Sequence, residues 1–143
     1  MQARLNAALA CELAADAGLS LADYVVLVVL TENPAGSARL FELAGYLGWE
    51  HSRASHHIAR MAARGLVRKE RCATDRRGAV VSVTAAGRRA IEKAAPGHVR
   101  AVRRYVVDVL CDDELDALGA AARKIVGAIE RAGTDPAPAT PVG

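Results

Sequence analysis

The spacing of apolar residues along the first part of the chain predicts two helices. Leucines recur every four positions over residues 2–17, which predicts an amphipathic helix that Gly18 ends. Its apolar stripe consists of Leu5, Leu9 and Leu13. Ser20 and Asp23 have the spacing of a capping box, so a second helix is expected from there to about Thr31. Because this second segment is apolar on almost every side, it should be deeply buried.

Two shorter helices are predicted after a turn at residues 33–36. Ser37 is interpreted as the cap of the third helix, which ends at Leu47 before a glycine. The fourth helix is expected to run from near Glu50 to about Arg64. Its apolar stripe is formed by Ala54, Ile58 and Met61. Its opposite face is polar and carries Ser52, Arg53, Ser55, His56 and Arg60.

A β-hairpin and two further helices complete the predicted elements. Residues 66–71 and the β-branched residues 79–83 are predicted to be strands joined by a polar turn. Thr84 is expected to cap a long fifth helix, in which Pro96 introduces a kink rather than an end. Asp112 is expected to cap the last helix, whose apolar positions are Leu115, Leu118, Ile125 and Ile129. The predicted fold class is mainly α with a small β-hairpin wing (α+β).

The composition restricts both the core and the compartment. Aromatic residues make up only 3% of the chain, so the core must be built from Ala, Leu and Val, which favours packed helices. The longest apolar run, Val25 to Leu30, is far shorter than the ~20 residues of a membrane span, so no membrane partner is expected. The cysteines form no CxxC pair, which favours reduced thiols in a cytoplasmic protein. They are Cys11, Cys72 and Cys111.

Positive charge is concentrated in one segment. Residues 50–78 contain eight basic and three acidic residues, a net charge of +5, although the whole chain carries only +3. A local basic patch on a nearly neutral protein is typical of a polyanion partner.

The order of helix, tight turn, helix and hairpin predicts a winged helix-turn-helix at about residues 37–84. In such a unit the second helix enters the DNA major groove, and its first residues contact base edges. An arginine at the tip of the following hairpin, such as Arg77, can reach the narrow minor groove. The residues predicted to form the DNA-binding surface are His51, Ser52, Arg53, Ser55, His56, Arg60, Asp75, Arg76 and Arg77. Asp75 is expected to hold the wing by pairing with a nearby arginine, and the alternative for the helix residues is an ordinary solvated face.

At these residues the chain resembles the MarR family of bacterial transcriptional regulators. The resemblance is carried by FELAGYLGWEHSRASHHIARMAARGLVRKE and DRRGAVVSVTAAGRRAI, and most specifically by RGLV, by Asp75 and Arg77, and by VTAAGR. It implies a homodimer in which residues 1–18 and 97–131 form a helical dimerisation region. Residues 19–96 would then form the winged helix-turn-helix, and the Pro- and Ala-rich residues 132–143 are expected to be a disordered tail.

Two residues are candidates for a small-molecule site. The position of Tyr24 resembles that of pocket aromatics in the family, with core packing as the alternative. His57 lies beside the apolar stripe of the fourth helix and is either a second ligand-binding candidate or a core histidine. The histidines and cysteines lack the spacing of a zinc site, so neither a metal nor another cofactor is expected.

The sequence therefore favours a cytoplasmic, ligand-responsive repressor that binds a pseudo-palindromic operator as a homodimer. Its partners would be double-stranded DNA, a second copy of itself and a small aromatic or phenolic effector. The alternative is a winged-helix protein-interaction module without specific DNA binding, although its recognition face should then be less basic. No catalytic motif is present that would indicate an enzyme.

Overall fold

The structure is a computed structural model that describes residues 1–71 and 78–134. Its helices are α1 (Gln2–Ala17), α2 (Leu21–Glu32), α3 (Leu40–Leu47), α4 (His51–Ala63), α5 (Ala85–Tyr105) and α6 (Asp112–Thr134). Its strands are β1 (Ser37–Arg39), β2 (Val67–Arg71) and β3 (Ala79–Val83). This confirms the predicted class, mainly α with a small antiparallel sheet. The chain divides into two compact units, Met1–Val102 and Arg103–Gly143.

The first two helices begin and end where local chemistry predicts. Gly18 follows α1 with φ 64°, a left-handed conformation that glycine adopts without steric cost. The Ser20 Oγ accepts a hydrogen bond from the Asp23 N–H, and an Asp23 carboxylate oxygen accepts one from the Ser20 N–H. This reciprocal pair is the predicted capping box, and it fixes the start of α2.

The predicted start of the third helix is wrong. Ser37 begins β1 instead, which pairs antiparallel with β3 so that Ser37 lies opposite Ser82. The helix starts three residues later at Leu40, and the Arg39 N–H donates to the Glu42 carboxylate at 3.3 Å. Local spacing cannot distinguish a capping serine from a strand serine when the strand's partner is distant in the sequence.

The hairpin pairs as the alternating pattern predicts. β3 lies in the centre of the sheet, between β1 and β2. Val67 lies opposite Val83, and Arg71 lies opposite Ala79. The residues that would join β2 to β3, 72–77, lie outside the described residues and include most of the predicted turn.

The core of the first unit is aliphatic, as the low aromatic content requires. Its most deeply buried side chains are Leu13, Leu19, Val26, Leu27, Leu30, Leu43, Ile58, Met61 and Val81. They come from the first four helices, the α1–α2 junction and β3, so the winged helix-turn-helix and α1 share one core. Among the described residues, no single helix is long and apolar enough to cross a membrane, and α1 and α2 meet that criterion only as a pair bent by 75°.

Of the last two helices, α5 and α6, the second differs in detail from its predicted bounds. α5 continues through Pro96, as predicted, and ends at Tyr105. In the second unit, the Cys111 N–H donates to the Glu114 carboxylate at the start of α6. α6 runs to Thr134, so residues 132–134 of the predicted tail are helical, and residues 135–143 lie outside the described residues.

Gly87 is a position in the fold where we expect even a methyl side chain to be destabilising. A Cβ atom there would overlap the carbonyl oxygen of Leu66 and meet the Val83 side chain at 3.0 Å. That oxygen also accepts hydrogen bonds from the N–H and the hydroxyl of Thr84, at 3.2 and 3.0 Å, which hold it in place. We expect Gly87→Ala to lower the free energy of unfolding by about 2 kcal/mol, as overpacking does, despite the higher helix propensity of alanine.

The matched control is Gly45→Ala in α3, where an added Cβ meets no atom within 4 Å. Here the gain in helix propensity is unopposed, so stability should rise by about 0.5–1 kcal/mol. Urea denaturation of both variants measures the difference, and a loss of the same size in both would show that the Leu66 contact does not matter.

Candidate nucleic-acid interface

α3 and α4 are joined by a turn that their backbones fix. Gly48 follows α3 with φ 62°, and its N–H donates to the Gly45 carbonyl at 3.1 Å. The next N–H, that of Trp49, donates to the Ala44 carbonyl at 2.9 Å. These bonds satisfy the last carbonyls of α3 and set the direction in which α4 leaves.

α4 is divided into a buried face and an exposed polar face. Ala54, Ile58 and Met61 are at most 1% exposed, which confirms the predicted stripe. On the opposite side, α4 brings together the six predicted DNA-binding residues that belong to it. His51, Ser52, Arg53, His56 and Arg60 are exposed, and Ser55 is half-buried. Since α4 contains no Asp or Glu, the exposed face is uniformly basic or neutral.

β2 adds one basic side chain, that of Lys69, beside this face. The Lys69 ammonium donates to the Ser55 hydroxyl at 2.9 Å, which places a cation from the strand against the helix. Arg68 is also exposed and pairs loosely with Glu70 at 3.6 Å. Sequence analysis did not select Lys69, although the count of basic residues in the 50–78 segment included it. The wing residues Asp75, Arg76 and Arg77, and Cys72, lie outside the described residues, so their roles remain predictions.

A buried carboxylate connects α4 to the α1–α2 junction. Asp23 is 3% exposed, and its Oδ2 accepts hydrogen bonds from the Ser20 N–H at 2.9 Å and the Arg64 Nη1 at 2.7 Å. Arg64 Nη2 donates in addition to the Gly18 carbonyl at 2.7 Å. The Asp23 Oδ1 lies 3.0 Å from the His57 Nε2. Asp23 thus contacts both the middle and the end of the predicted recognition helix.

The environment of Asp23 favours its ionised form. Burial by itself would raise the pKa of this carboxyl, but the hydrogen bond from the Ser20 N–H and the Arg64 guanidinium outweigh it and hold the pKa below its ordinary value. Asp23 therefore carries a negative charge inside the protein, which the Ser20 N–H and the Arg64 guanidinium compensate.

His57 is held in one orientation and one tautomer. Its Nδ1 lies 3.0 Å from the Arg60 guanidinium, which can only donate, so Nδ1 accepts and the proton lies on Nε2, facing Asp23. Nε2 is buried, and its alignment with Asp23 falls short of a well-directed hydrogen bond. Burial, aided by the Arg60 charge and opposed by Asp23, lowers the pKa of His57, so the ring is neutral at pH 7.

The two predicted ligand-binding residues lie in the core. Tyr24 is buried, and its ring lies 4.4 Å from that of His98; His57 is buried against Trp49 and Asp23. One cavity of about 590 Å³ is lined by Gln2, Asn6, Leu21, Ala22, Val25, Leu47, Trp49 and Arg53. A second, of about 250 Å³, lies between α2 and α5. Tyr24 and His57 line neither cavity, so their role in binding a ligand remains a prediction.

Within residues 1–71 and 78–134, no three His, Cys, Asp or Glu side chains are grouped so that they could hold a metal ion. Cys11 and Cys111 are free and exposed.

One buried histidine, His57, and one half-buried histidine, His98, predict a stability that falls in mild acid. Burial lowers the pKa of His98, whose Nδ1 has no partner among the described residues, and also that of His57. The unfolded chain therefore takes up protons at a higher pH than the folded chain does, so stability is lost as the pH falls through the ordinary histidine pKa of 6.5. We expect the melting temperature to fall between about pH 7.5 and about pH 5.

The dependence should flatten in a His57→Gln, His98→Gln double variant, and it should remain in His56→Gln, which replaces an exposed histidine of α4. Melting curves at a series of pH values measure it. An equally steep dependence in the double variant would assign the effect to other groups.

Comparison with known proteins identifies the family. The MarR family model matches residues 17–78. The chain is 36% identical to AbsC, a MarR family transcriptional regulator from Streptomyces coelicolor, with a TM-score of 0.83 over 90% of this chain and 86% of that one. It is 35% identical to Sco3205, a MarR family regulator of the same organism solved in complex with DNA, with a TM-score of 0.84 over 99% and 86% of the two chains.

CouR from Rhodococcus jostii RHA1, solved with p-coumaroyl-CoA bound, is 24% identical, with a TM-score of 0.72 over 87% of this chain and 85% of that one, and at this identity it shows the fold alone. A search of curated proteins gave no match. The two Streptomyces coelicolor regulators combine more than 30% identity with coverage of 86% of their own lengths. The chain therefore belongs to the MarR family of transcriptional regulators.

Proposed function

We propose that this protein is a repressor that binds a pseudo-palindromic operator as a homodimer and releases it when a small effector binds. The observation that carries the proposal is the division of α4. Its apolar stripe is buried in the core, while Arg53, His56 and Arg60 are exposed on the opposite side with no acidic residue on the helix. A helix anchored in this way can enter a major groove without disturbing the fold.

The charge beside α4 supports contact with a nucleic-acid backbone. Lys69 extends the basic surface onto β2, next to Ser55. The N-terminus of α4 is preceded by the tight α3–α4 turn, and its unpaired N–H groups favour a nearby phosphate. Arginine and lysine contacts to phosphate hold the protein on DNA, and contacts from the first turns of α4 to base edges select the sequence.

The homodimer is supported by an apolar face that α6 leaves exposed. Four of its large apolar side chains are between 44% and 65% exposed, namely Leu118, Ile125, Val126 and Ile129. Contiguous apolar surface of this kind marks a contact with another protein surface. A second copy of the chain is the simplest occupant, because two copies of α4 match the two halves of a palindromic site.

The candidate effector site is the larger of the two cavities. The 590 Å³ cavity is large enough for a small aromatic or phenolic molecule, and Trp49 and Arg53 border it. A ligand there would touch the residue at the start of the recognition helix that we expect to contact bases. CouR, which has the same fold, was solved with p-coumaroyl-CoA bound.

The experiment that tests the proposal measures how two arginine-to-alanine variants bind an operator duplex and a scrambled duplex. Genomic fragments retained by the purified protein give the operator duplex, and a scrambled duplex is the reference. Arg53 lies in the first turns of α4, so Arg53→Ala should weaken operator binding by about 1–3 kcal/mol and scrambled binding much less. Arg100→Ala removes the same charge from an exposed position on α5 and should not change the preference.

The outcome separates the alternatives. An Arg53→Ala variant that loses the same affinity for both duplexes would make Arg53 a phosphate contact. If the wild-type protein does not prefer the operator over the scrambled duplex, specific DNA binding is excluded and the alternative, a winged-helix protein-interaction module, remains.

A further inference from the structure

Trp49, Arg53 and His57 form a stack at the start of α4. Arg53 and His57 lie four residues apart on α4, so their side chains are neighbours on the helix surface, and Trp49 lies just before the helix. The Arg53 guanidinium carbon lies 4.8 Å from the centroid of the Trp49 ring. The His57 ring meets the Trp49 ring edge-on, with centroids 5.2 Å apart and planes at 77°. Arg53 has no ion-pair partner among the described residues, so the indole face is its main contact.

The His57 end of the stack is anchored in the core. The Asp23 carboxylate faces the His57 Nε2, and Arg60 donates to His57 Nδ1, so both ring nitrogens have a neighbour that fixes the ring. Asp23 is itself held by Ser20 and Arg64. The backbone of Trp49 is also fixed, because its N–H donates a hydrogen bond to the Ala44 carbonyl in α3. A line of contacts therefore runs from a buried carboxylate to the exposed guanidinium of Arg53.

This arrangement limits the freedom of Arg53 before DNA is present. A free arginine side chain loses much rotamer entropy when it is fixed against a base, and a guanidinium already held on an aromatic face loses less. Without the indole, Arg53 would be flexible and would lose all of that rotamer entropy when it binds DNA.

We propose that Trp49 is a positioning residue for DNA recognition: it holds Arg53 in the orientation that reads bases, and the Asp23–His57 pair holds Trp49. The inference rests on the proposed function, because it requires Arg53 to contact the operator. The effect is expected on operator affinity rather than on scrambled DNA, since only a base contact needs the guanidinium in one orientation.

The test is a double-variant cycle on the operator duplex recovered from genomic DNA. Trp49→Leu keeps an apolar side chain and removes the aromatic face, and it should weaken operator binding about twofold to fivefold, as expected for an exposed cation–π contact. Trp49→Phe retains an aromatic face and should recover most of the lost affinity. In the Arg53→Ala background, Trp49→Leu should cause no further loss, because the group that it positions is absent.

The outcomes distinguish this inference from the proposed function. If the wild type does not prefer the operator over the scrambled duplex, the proposed function fails and the inference fails with it. If the wild type does prefer the operator, but the Trp49→Leu and Arg53→Ala losses multiply, or Trp49→Phe binds no better than Trp49→Leu, the positioning role alone is overturned. Melting curves confirm that each variant is folded at the assay temperature, and a stability defect alone would not produce the Phe rescue together with the absence of a further loss.

Discussion

Asp23→Ala is expected to lower the free energy of unfolding by about 3 kcal/mol, because it removes the shared partner of a buried polar cluster. Arg64 would lose its ion pair at 2.7 Å, and His57 would lose the carboxylate that faces its Nε2. The Ser20 N–H at the start of α2 would lose its acceptor as well. Arg64 is 45% exposed and can turn toward water, which keeps the loss at the lower end of the range for a broken buried pair.

The control is Glu32→Ala, which removes an exposed carboxylate from the other end of the same helix and should change stability by less than about 0.5 kcal/mol. The difference between wild type and Asp23→Ala should also depend on pH. Because the folded-state pKa of Asp23 is lowered, its stabilisation is complete above the ordinary pKa of 3.8 and is lost as the pH falls through the folded value. Urea denaturation at neutral and acid pH measures both effects. A neutral-pH loss below about 1 kcal/mol would mean that the cluster contributes only an ordinary hydrogen bond.

Ile125→Asp is expected to convert the proposed dimer into a monomer and to weaken operator binding by about a hundredfold or more. Ile125 is 61% exposed near the middle of α6, on the same side as Leu118 and Ile129. If a second chain covers this face, a carboxylate there would be buried without a partner, which is strongly unfavourable. A monomer can engage only one half-site at a time, so the gain from simultaneous binding is lost.

Ala117→Asp is the matched control, since this exposed position is one residue before Leu118 and therefore about 100° around the helix from it. Light scattering at micromolar concentration gives the mass, and titration of the operator gives the affinity. A dimer mass for Ile125→Asp would remove α6 from the interface, and a monomer mass for the wild type would remove the dimer altogether.

Local chemistry explains why most elements could be predicted from the sequence. Gly18, Ser20 with Asp23, and Thr84 act within a few residues of themselves, and each ends or starts a helix where its side chain or conformation requires. The buried stripe of α4 follows from helical spacing alone. The order of helix, turn, helix and hairpin then indicated which helix is the predicted recognition helix, and the comparisons confirmed the family that the motifs resemble.

The sequence could not reveal contacts between distant positions. Ser37 has the chemistry of a cap, but pairing with β3 makes it a strand residue. Asp23 was recognised for its contact three residues away, whereas its ion pair with Arg64 spans 41 residues and its contact with His57 joins two helices. Lys69 was visible only as one of several basic residues, because its position beside Ser55 depends on how β2 packs on α4. In each case a contact between residues that are distant in the sequence determines the local structure.

A hydroxyl-radical footprint of the wild-type protein on the duplex recovered from genomic DNA tests directly whether two copies of α4 read the two halves of a DNA site. We expect two protected half-sites related by two-fold symmetry, with centres about one helical turn, ~10 base pairs, or a multiple of it apart. Protection should weaken steeply as salt is added, because phosphate contacts release counterions. A single protected tract without symmetry, or protection that persists unchanged at high salt, would contradict this expectation.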